Sequence, residues 1–367
     1  MAGDGATIRC VTREYRRRKG LSQDELARLV GLRRQAVCDL ESGRYLPNTA
    51  VALRLARALG CSVEMLFVED ASEEFGSLHL LHEAETEAAR LFLSQVRGKL
   101  VGVPLSGAPL SFKLDVADGF LLADKTVDCP LPREQLADTV LVLGCDPALD
   151  VLTGLMANTA SGIRAHAVFA SSRRALLAVG NGLAHVAGTH YHGFGATGGN
   201  LEAVRSLVPR LDCLMIAFSA QEEGLMVAPG NPLGVRSVED LARIRLVNRE
   251  EGAALRKLLD SELSRLGMPV SGIDGYAEEA QSHFEGAIRV AGGAADAALG
   301  LRIVAASLGL DFVPLATTRC DLVIPKDLRD LPGIAVLLDV LQSSRLRKEL
   351  NSLPGYDASE VGKMILG

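Results

Sequence analysis

Three short loops in the second half of the chain carry residues whose side chains could do chemistry. Each loop follows a short apolar run that indicates a β-strand, and the loops are Cys145-Asp146, Ser171-Ser172 and Thr189-His190. Because helical stretches separate the runs, the order βαβαβ predicts a mostly parallel sheet. The carboxyl ends of parallel strands meet at one edge of a sheet, so we expect the three loops to converge on one ligand cleft.

Two of these loops allow more than one interpretation. Ser171 and Ser172 begin a predicted helix, where their hydroxyls and free amides suit an anion, and an ordinary helix cap is the equal alternative. Asp146 would repel an oxyanion unless a cation offsets it, so it indicates a ligand with an amine or hydroxyl group. Its alternative role is a cap ahead of Pro147, which we place in the first turn of the following helix.

The histidines and cysteines point away from a metal centre. We expect His190 and His192 to face opposite sides, with one of them a hydrogen-bond donor in the cleft and no metal site. Cys145 with His190 as its base would be an activated nucleophile, although a buried thiol is the preferred interpretation. The seven scattered cysteines match neither a disulfide framework nor a zinc site and indicate a reducing compartment.

Composition bounds the class of protein. The 367 residues suffice for two or three domains, and 48% hydrophobic with 23% charged residues is typical of a globular chain. No apolar run approaches the roughly 20 residues of a membrane span, and the N-terminus lacks the apolar core of a secretory signal. We therefore expect a cytoplasmic protein without a membrane partner.

Charge is unevenly distributed. Residues 8–62 hold twelve Lys or Arg and five acidic residues, a net charge of +7, which leaves −13 for the rest of a chain whose total is −6. A basic segment joined to an acidic body indicates an attached nucleic-acid-binding head.

The basic segment has the pattern of a helix-turn-helix. Apolar spacing from Ile8 predicts a first helix that stops at Gly20. Ser22 and Glu25 form a predicted capping box for the second helix, and Gly31 permits the turn into a third. The third helix, 33–41, should bury Val37 and Leu40, and Asn48 or Thr49 should cap a fourth that runs to about Leu59.

The string LSQDELARLVGLRRQAVCDLESGRYLPNTAVALRLARALGCSVEMLF closely resembles the Cro/lambda-repressor-like (XRE) DNA-binding domains. The resemblance implies that the third helix enters the major groove of double-stranded DNA while the second lies across the phosphates. It also implies a homodimer on two half-sites, because one such head contacts too few base pairs. The implied DNA-binding residues are Gln23, Arg33, Arg34, Gln35, Cys38 and Arg44. Position 33 departs from the family, which usually has a Ser or Thr cap there.

Residues from about 138 to 356 resemble the periplasmic-binding-protein-like (type II) ligand domains found fused to helix-turn-helix heads and to molybdenum-related proteins. The resemblance rests on GCDPAL at 144, EGLMVAPGNPLGVRSVEDLA at 223, VNREEGAALRKLLD at 247 and the GGAADAALG run at 292. It implies a small-molecule or oxyanion ligand, molybdate among the candidates, between two lobes. Here Ala253-Ala254-Leu255 replaces the hydroxyl residues that the family often has before the arginine. The implied ligand-binding residues are Cys145, Asp146, Ser171, Ser172, Thr189, His190, Arg249, Gly252, Ala253, Arg256, Ser282 and His283.

Together these patterns predict a multidomain protein with an all-α helix-turn-helix head, a small β connector and a two-lobed α/β body. The predicted bounds are 1–68 for the head, 69–137 for a linker and connector with a hairpin at Arg97-Gly98, and 138–367 for the body. Within the body, lobe 1 takes about 138–222 and 326–367, and lobe 2 about 223–325.

The predicted function is a one-component transcriptional regulator in which a small polar ligand closes the clamshell and changes operator affinity, with no catalytic residues and no cofactor. Two alternatives stay open: an enzyme with Cys/His chemistry fused to a DNA-binding autoregulator, and a ligand-independent repressor.

Overall fold

The computed structural model describes residues 7–70, 77–83, 88–105, 116–159, 163–192 and 198–366. Parts of the predicted linker and connector, residues 71–76, 84–87 and 106–115, lie outside these ranges. The chain divides between residues 76 and 77 into two compact units, which we describe separately.

The N-terminal unit is a small helical bundle closed by a two-stranded sheet. In chain order its elements are β1 (Thr7–Cys10), α1 (Thr12–Arg18), α2 (Gln23–Val30), α3 (Arg34–Glu41), α4 (Thr49–Leu59) and β2 (Phe67–Asp70). β1 pairs antiparallel with β2. This pairing corrects the predicted start of the first helix, because Ile8 lies in a strand and α1 begins only at Thr12.

The predicted punctuation of the helices is confirmed. The hydroxyl of Ser22 accepts from the backbone N–H of Glu25, whose carboxylate accepts from the N–H of Ser22, which completes the capping box of α2. Gly31 ends α2 with φ 66°, a left-handed conformation that glycine adopts without steric cost. Asn48 caps α4. The apolar faces of α2, α3 and α4 meet in one core.

The C-terminal unit is a mixed α/β structure. Its strands are β3 (His79–Leu80), β4 (Ala89–Val96), β5 (Lys99–Pro104), β6 (Gly119–Leu121), β7 (Val127–Asp128), β8 (Thr139–Gly144), β9 (Arg164–Phe169), β10 (Val186–Thr189), β11 (Cys213–Val227), β12 (Leu246–Arg249), β13 (Glu279–Ala280), β14 (Ala297–Leu301), β15 (Asp311–Pro325), β16 (Tyr356–Asp357) and β17 (Met364–Leu366). Its helices are α5 (Arg133–Ala137), α6 (Leu149–Ala157), α7 (Ser172–Gly180), α8 (Gly198–Leu207), α9 (Ala254–Leu266), α10 (His283–Ala291), α11 (Arg302–Ser307), α12 (Pro332–Gln342) and α13 (Ser344–Asn351). Short 3-10 turns span Val238–Arg243, Val270–Gly272 and Lys326–Leu328.

The strands form two lobes that share one continuous sheet of order β13-β12-β14-β11-β15-β10-β8-β9. Lobe 1 contains β8, β9 and β10, which run parallel as predicted. Lobe 2 contains β12, β13 and β14. Each lobe has an apolar core on both faces of its sheet, so helices cover the strands on two sides. The described fold is the predicted helical head followed by a two-lobed α/β body.

Two long strands join the lobes. β11 and β15 pair antiparallel from Cys213 opposite Pro325 to Val227 opposite Asp311. The pairing slips between Ala217 and Ser219 and again between Glu223 and Gly224. The apolar pattern of residues 213–228 by itself predicts two short extended runs, and the structure has one continuous strand instead, because a β-bulge bends a strand and changes its hydrophobic pattern without ending it.

The predicted hairpin at Arg97-Gly98 is confirmed, since β4 and β5 pair antiparallel across it and both turn residues have positive φ. The hairpin belongs to a five-stranded sheet of order β3-β5-β4-β6-β7. Phe92, Val96 and Val101 of this sheet pack into the same apolar core as Leu141 of lobe 1. The connector sheet is therefore packed on lobe 1 rather than standing alone.

Near the C-terminus, the apolar spacing from Ile334 to Asn351 predicts one helix, and the structure has two, because Ser343 ends α12 and caps α13 through the N–H of Leu346. In the described part of the chain, none of the helices has the length and apolar character that crossing a bilayer requires.

Gly224 should be intolerant of a side chain. A Cβ atom there would lie 2.1 Å from the carbonyl oxygen of Val313 on the paired strand β15. We expect Gly224→Ala to lower the free energy of unfolding by about 1–3 kcal/mol, because the backbone must shift to accept the methyl group. Urea unfolding measures this change.

Gly154 provides the matched control. It lies in α6, and a Cβ there would meet no atom within 4 Å. Gly154→Ala should leave stability unchanged or raise it, since alanine favours a helix over glycine. Equal unfolding midpoints for the two variants would contradict the close approach at Gly224.

Candidate functional site

The N-terminal unit presents the predicted base readers on the solvent side of α3. Arg34, Gln35 and Cys38 are exposed on the helix, and Arg33 is exposed at its N-cap. Arg33 makes no side-chain capping hydrogen bond, so its guanidinium is not used to begin the helix. Gln35 Nε2 donates to Asp39 Oδ1 at 3.0 Å. The exposed side chains lie on one face. They carry hydrogen-bond donors that suit the acceptor atoms of base edges and phosphates.

Gln23, at the first turn of α2, is held by a buried ion pair that sequence reasoning missed. Its Nε2 donates to Glu41 Oε2 at 3.0 Å, and Arg16 donates to both oxygens of the same carboxylate. Burial raises the pKa of Glu41, but its bonds to Arg16 and Gln23 outweigh this and lower it. The charged Glu41 therefore connects α1, α2 and α3 and orients Gln23. The only signal in the sequence was Glu41 itself, which we interpreted as part of a helix end.

Arg44 follows α3 and is exposed. The structure thus leaves five of the six predicted DNA-binding side chains on the surface and half-buries Gln23. Their contacts with DNA remain predictions.

In the C-terminal unit, a cavity lies between the lobes at the carboxyl ends of β8 and β10. Its volume is about 20 Å³, which is room for about one water molecule in this closed arrangement. The lining residues are Cys145, Ser171, Ser172, Arg173, His190 and Tyr191 from lobe 1 and Arg249, Glu250, Gly252, Ala253, Ala254, Leu255 and His283 from lobe 2. Across it Lys257 Nζ of α9 lies 5.9 Å from the ring centroid of Tyr191, so the lobes are in contact on this side.

Arg249, the last residue of β12, is the dominant charge of the cavity. It is 3% exposed, and its Nε and Nη1 atoms have no hydrogen-bond partner. Its Nη2 donates to the carbonyl of Gln281 at 3.3 Å and lies 3.7 Å from a carboxylate oxygen of Glu250. Burial lowers the pKa of Arg249, while Glu250 and other acids nearby oppose this. Two strong donors are thus left unused beside the cavity.

Three helices begin at this cavity, and the positive end of each helix dipole lies there. α9 has Ala253 at its N-cap and no side-chain capping bond, so no side chain accepts from its first amides. In α10, Ser282 accepts from the N–H of Glu285. In α7, Ser171 accepts from the N–H of Arg174, which is the capping role we gave as its alternative. The hydroxyl of Ser172 accepts from the backbone N–H of His190.

Cys145 and His190 contact each other inside the cavity wall. Cys145 Sγ lies 3.1 Å from His190 Nδ1, and both residues are buried. Burial lowers the pKa of His190, but the neighbouring Cys145, Glu223 and Asp146 outweigh it and raise the pKa to about 9. The imidazole is therefore protonated at neutral pH, and its charge is balanced by the acidic groups around it.

Behind the imidazole lies Glu223, a fully buried carboxylate on β11 that the sequence did not single out. His190 Nε2 lies 3.6 Å from its Oε1 and His192 Nε2 lies 2.7 Å from its Oε2. Thr318 of β15 donates to the same carboxylate. Burial raises the pKa of Glu223, but its bond to His192 and the charge of His190 outweigh it and lower the pKa.

The prediction that His190 and His192 face opposite sides was wrong. Residues i and i+2 of an extended segment lie on the same face, and both histidines reach Glu223. Among the described residues, no group of three or more His, Cys, Asp or Glu side chains is arranged to hold a metal ion.

Two predicted ligand residues of lobe 1 do not line the cavity. Asp146 accepts from the N–H of Ala148 at 2.9 Å, from Ser219 at 2.8 Å and from Tyr356 at 2.5 Å, so both its oxygens are used. This is the capping alternative, with Pro147 in the turn before α6 rather than inside the helix. Thr189 is fully buried and donates to the carbonyl of Asp321.

Two predicted residues of lobe 2 are also outside the cavity lining. Arg256 donates to the carbonyl of Arg249 and forms an ion pair with Glu279, and its guanidinium lies over the ring of Tyr276. Ser282 is engaged as the cap of α10. Arg256 points back along the helix and supports β12, which the spacing from Gly252 alone does not reveal.

The fold and the cavity define a two-lobed binding domain joined to a helix-turn-helix head. The model of the PBP superfamily domain matches residues 153–342, and the helix-turn-helix model matches residues 13–66. The chain therefore belongs to the PBP superfamily, and its N-terminal unit belongs to the helix-turn-helix transcriptional regulators.

Several proteins are similar to parts of this chain. YvgK of Bacillus subtilis is 28% identical over 229 residues, 62% of this chain and 73% of its own. An HTH-type transcriptional regulator of Methanothermobacter thermautotrophicus is 47% identical over 64 residues, 17% of this chain and 93% of its own. The crystal structure of Peb3 from Campylobacter jejuni superposes with a TM-score of 0.44 at 13% identity, over 59% of this chain and 99% of that one.

Gln35 and Gln23 should respond differently to truncation. We expect Gln35→Ala to relax the preference among operator sequences, with about 1–3 kcal/mol of discrimination lost at one base position. Gln23→Ala should weaken binding to all sequences alike, because the predicted contact of Gln23 is with phosphate. Fluorescence anisotropy with operator and scrambled duplexes at one salt concentration measures both; the reverse pattern would mean that the helices are assigned wrongly.

Proposed function

We propose that this protein is a one-component transcriptional regulator whose C-terminal unit binds a small anion between its lobes and thereby changes the affinity of the head for double-stranded DNA. The helix-turn-helix head fused to a ligand-binding domain of the PBP superfamily supports the general class. The observation that carries the anionic ligand is the buried guanidinium of Arg249, which has two donor atoms without a partner.

A guanidinium in that position is costly without an acceptor. An unsatisfied buried polar group costs about 1–3 kcal/mol, and more when it is charged. Nε and Nη1 lie on different edges of the guanidinium, so oxygens of an anion would accept from them singly, in charge-assisted hydrogen bonds about twice as strong as neutral ones. The starts of α7, α9 and α10 add positive potential. The cavity thus favours a compact anion such as a tetrahedral oxyanion or a carboxylate.

Closure follows from the way the donors are divided. Lobe 2 supplies Arg249 and the starts of α9 and α10, whereas lobe 1 supplies His190 and the start of α7. Only a closed arrangement presents both sets to one small ion, so the ion binds the closed form more tightly than the open form. That difference in affinity is what a ligand needs to shift a conformational equilibrium.

The remaining parts of the proposal rest on the resemblances. Molybdate is one candidate within the class of small oxyanions. A homodimer would place two heads on half-sites about one helical turn apart. The DNA-binding and ligand-binding roles, the domain bounds 1–68, 69–137 and 138–367 and a cytoplasmic location belong to the same proposal.

Arg249→Met tests the anionic ligand. We expect it to abolish the thermal stabilisation that phosphate, sulfate, molybdate or small carboxylates give the full chain. The ligand-free variant should be as stable as the wild type or more so, because a buried guanidinium with two unpaired donors is replaced by an apolar side chain of similar length. Differential scanning fluorimetry with and without each anion measures both effects.

Arg245→Met is the matched control, since Arg245 is exposed and pairs with Glu278 on the surface. It should keep the full response to anions. A wild-type protein that no anion stabilises, with operator binding unaffected by any of them, would instead favour the ligand-independent repressor.

A second candidate function is thiol chemistry at Cys145, which the 3.1 Å contact with the His190 imidazole favours. A protonated His190 stabilises a neighbouring thiolate, and the thiolate is the reactive form of cysteine. Cys213 is a suitable reference, because burial raises the pKa of its thiol.

Under this second function, iodoacetamide at pH 7 should alkylate Cys145 before Cys213, and His190→Gln should slow the alkylation of Cys145 about tenfold or more. Peptide mapping by mass spectrometry over time gives both rates. A Cys145 that reacts as slowly as Cys213 in the wild type would remove the enzyme alternative and leave the sensor.

A further inference from the structure

His283, the first residue of α10, brings a group of a different kind to the cavity. It is 4% exposed, it lines the cavity beside Arg249, and its Nδ1 atom has no hydrogen-bond partner. Its ring donates a hydrogen bond to the backbone carbonyl of Leu299 in β14. Because Nδ1 is without a partner, we assign the ring proton to Nε2.

The proton on Nε2 decides what Nδ1 can do. A neutral imidazole carries one proton, so the nitrogen without it has a lone pair and accepts. Burial, with the positive charges of Arg249 and His190, lowers the pKa of His283 well below its ordinary value and keeps the ring neutral. The cavity therefore holds one orphaned acceptor, His283 Nδ1, next to two orphaned donors of Arg249.

Glu250 adds a second acceptor to the cavity wall. Its carboxylate lies 3.7 Å from Arg249 Nη2 and its side chain is 19% exposed. A fully deprotonated dianion has only lone pairs, so it would satisfy the arginine and leave the lone pair of His283 opposite another lone pair. An anion that also carries an O–H group can satisfy both.

We infer that the ligand is a small anion with a hydroxyl group on or next to its charged group, which donates to His283 Nδ1 while its charged oxygens accept from Arg249. This inference rests on the proposed function and narrows its ligand class. Two kinds of molecule share the chemistry: a hydrogen oxyanion such as phosphate, which keeps at least one proton at neutral pH, and a 2-hydroxycarboxylate. Sulfate and molybdate keep none.

Matched pairs of anions test the inference on the full chain by isothermal titration calorimetry at pH 7 in a buffer free of both oxyanions. One arm compares phosphate with sulfate and molybdate, which are tetrahedral but have no proton. The other compares L-lactate with propionate, which lacks the hydroxyl. If the ligand is a hydrogen oxyanion, phosphate should bind at least about tenfold more tightly than sulfate or molybdate; if it is a 2-hydroxycarboxylate, L-lactate should bind at least about tenfold more tightly than propionate. The comparison that shows this preference identifies the kind of ligand.

Two variants assign the preference to the histidine. His283→Phe removes the acceptor and keeps a ring, so the ratio of affinities within the pair should fall to about one. His283→Asn places an acceptor oxygen near the position of Nδ1 and should keep a ratio above one. If His283→Phe does not fold, the ratios of affinities measured for the wild type and for His283→Asn still test the inference.

The outcomes separate this inference from the function on which it rests. Equal binding within both pairs, or tighter binding of sulfate or molybdate, would overturn the hydroxyl requirement while the anion site stands. Absence of binding by every anion to the wild type would overturn the proposed function itself.

Discussion

A buried guanidinium with two unused hydrogen-bond donors is the feature on which the proposed role of the C-terminal unit depends. Arg249 lies at the end of a buried strand, where its partners are one carbonyl and a carboxylate 3.7 Å away. Such a group raises the free energy of the closed, ligand-free state, because charged donors need acceptors in a medium of low polarity. The missing acceptor defines the ligand by what the protein lacks.

Lobe 1 has its own group of charged side chains beside the cavity. His190 is held as a cation by Cys145 and by Glu223, and Glu223 in turn lies on β11 at the place where that strand passes between the lobes. The electrostatic state of the cavity wall is thus set by a carboxylate on the connecting strand. An anion bound near His190 would change the electrostatic field on His190 and Glu223. Glu223 lies on β11, one of the two long strands.

Much of this arrangement follows from local pattern. The capping box at Ser22, the left-handed Gly31 and the parallel strands that end at Cys145 and His190 are each signalled by a few adjacent residues, and the structure has them as predicted. The cavity also gathers most of the predicted loop residues, because the carboxyl ends of parallel strands must share an edge.

What the sequence could not provide depends on pairing between distant segments. Glu223 becomes a site residue only because β11 carries it past two histidines some thirty positions earlier in the chain. Asp146 is taken up by Ser219 and Tyr356, partners that no local pattern places beside it. Ile8 joins a strand because Phe67–Asp70 returns to pair with it, which overrides its helical spacing.

Lobe 2 is inserted between the two halves of lobe 1 and holds neither terminus. Its covalent links to the rest of the protein are the two paired strands β11 and β15, while the connector sheet packs on the core of lobe 1. Any rotation of lobe 2 must therefore be transmitted as a twist of one two-stranded ribbon. The stiffness of that ribbon determines how far a rotation of lobe 2 is transmitted to the rest of the molecule.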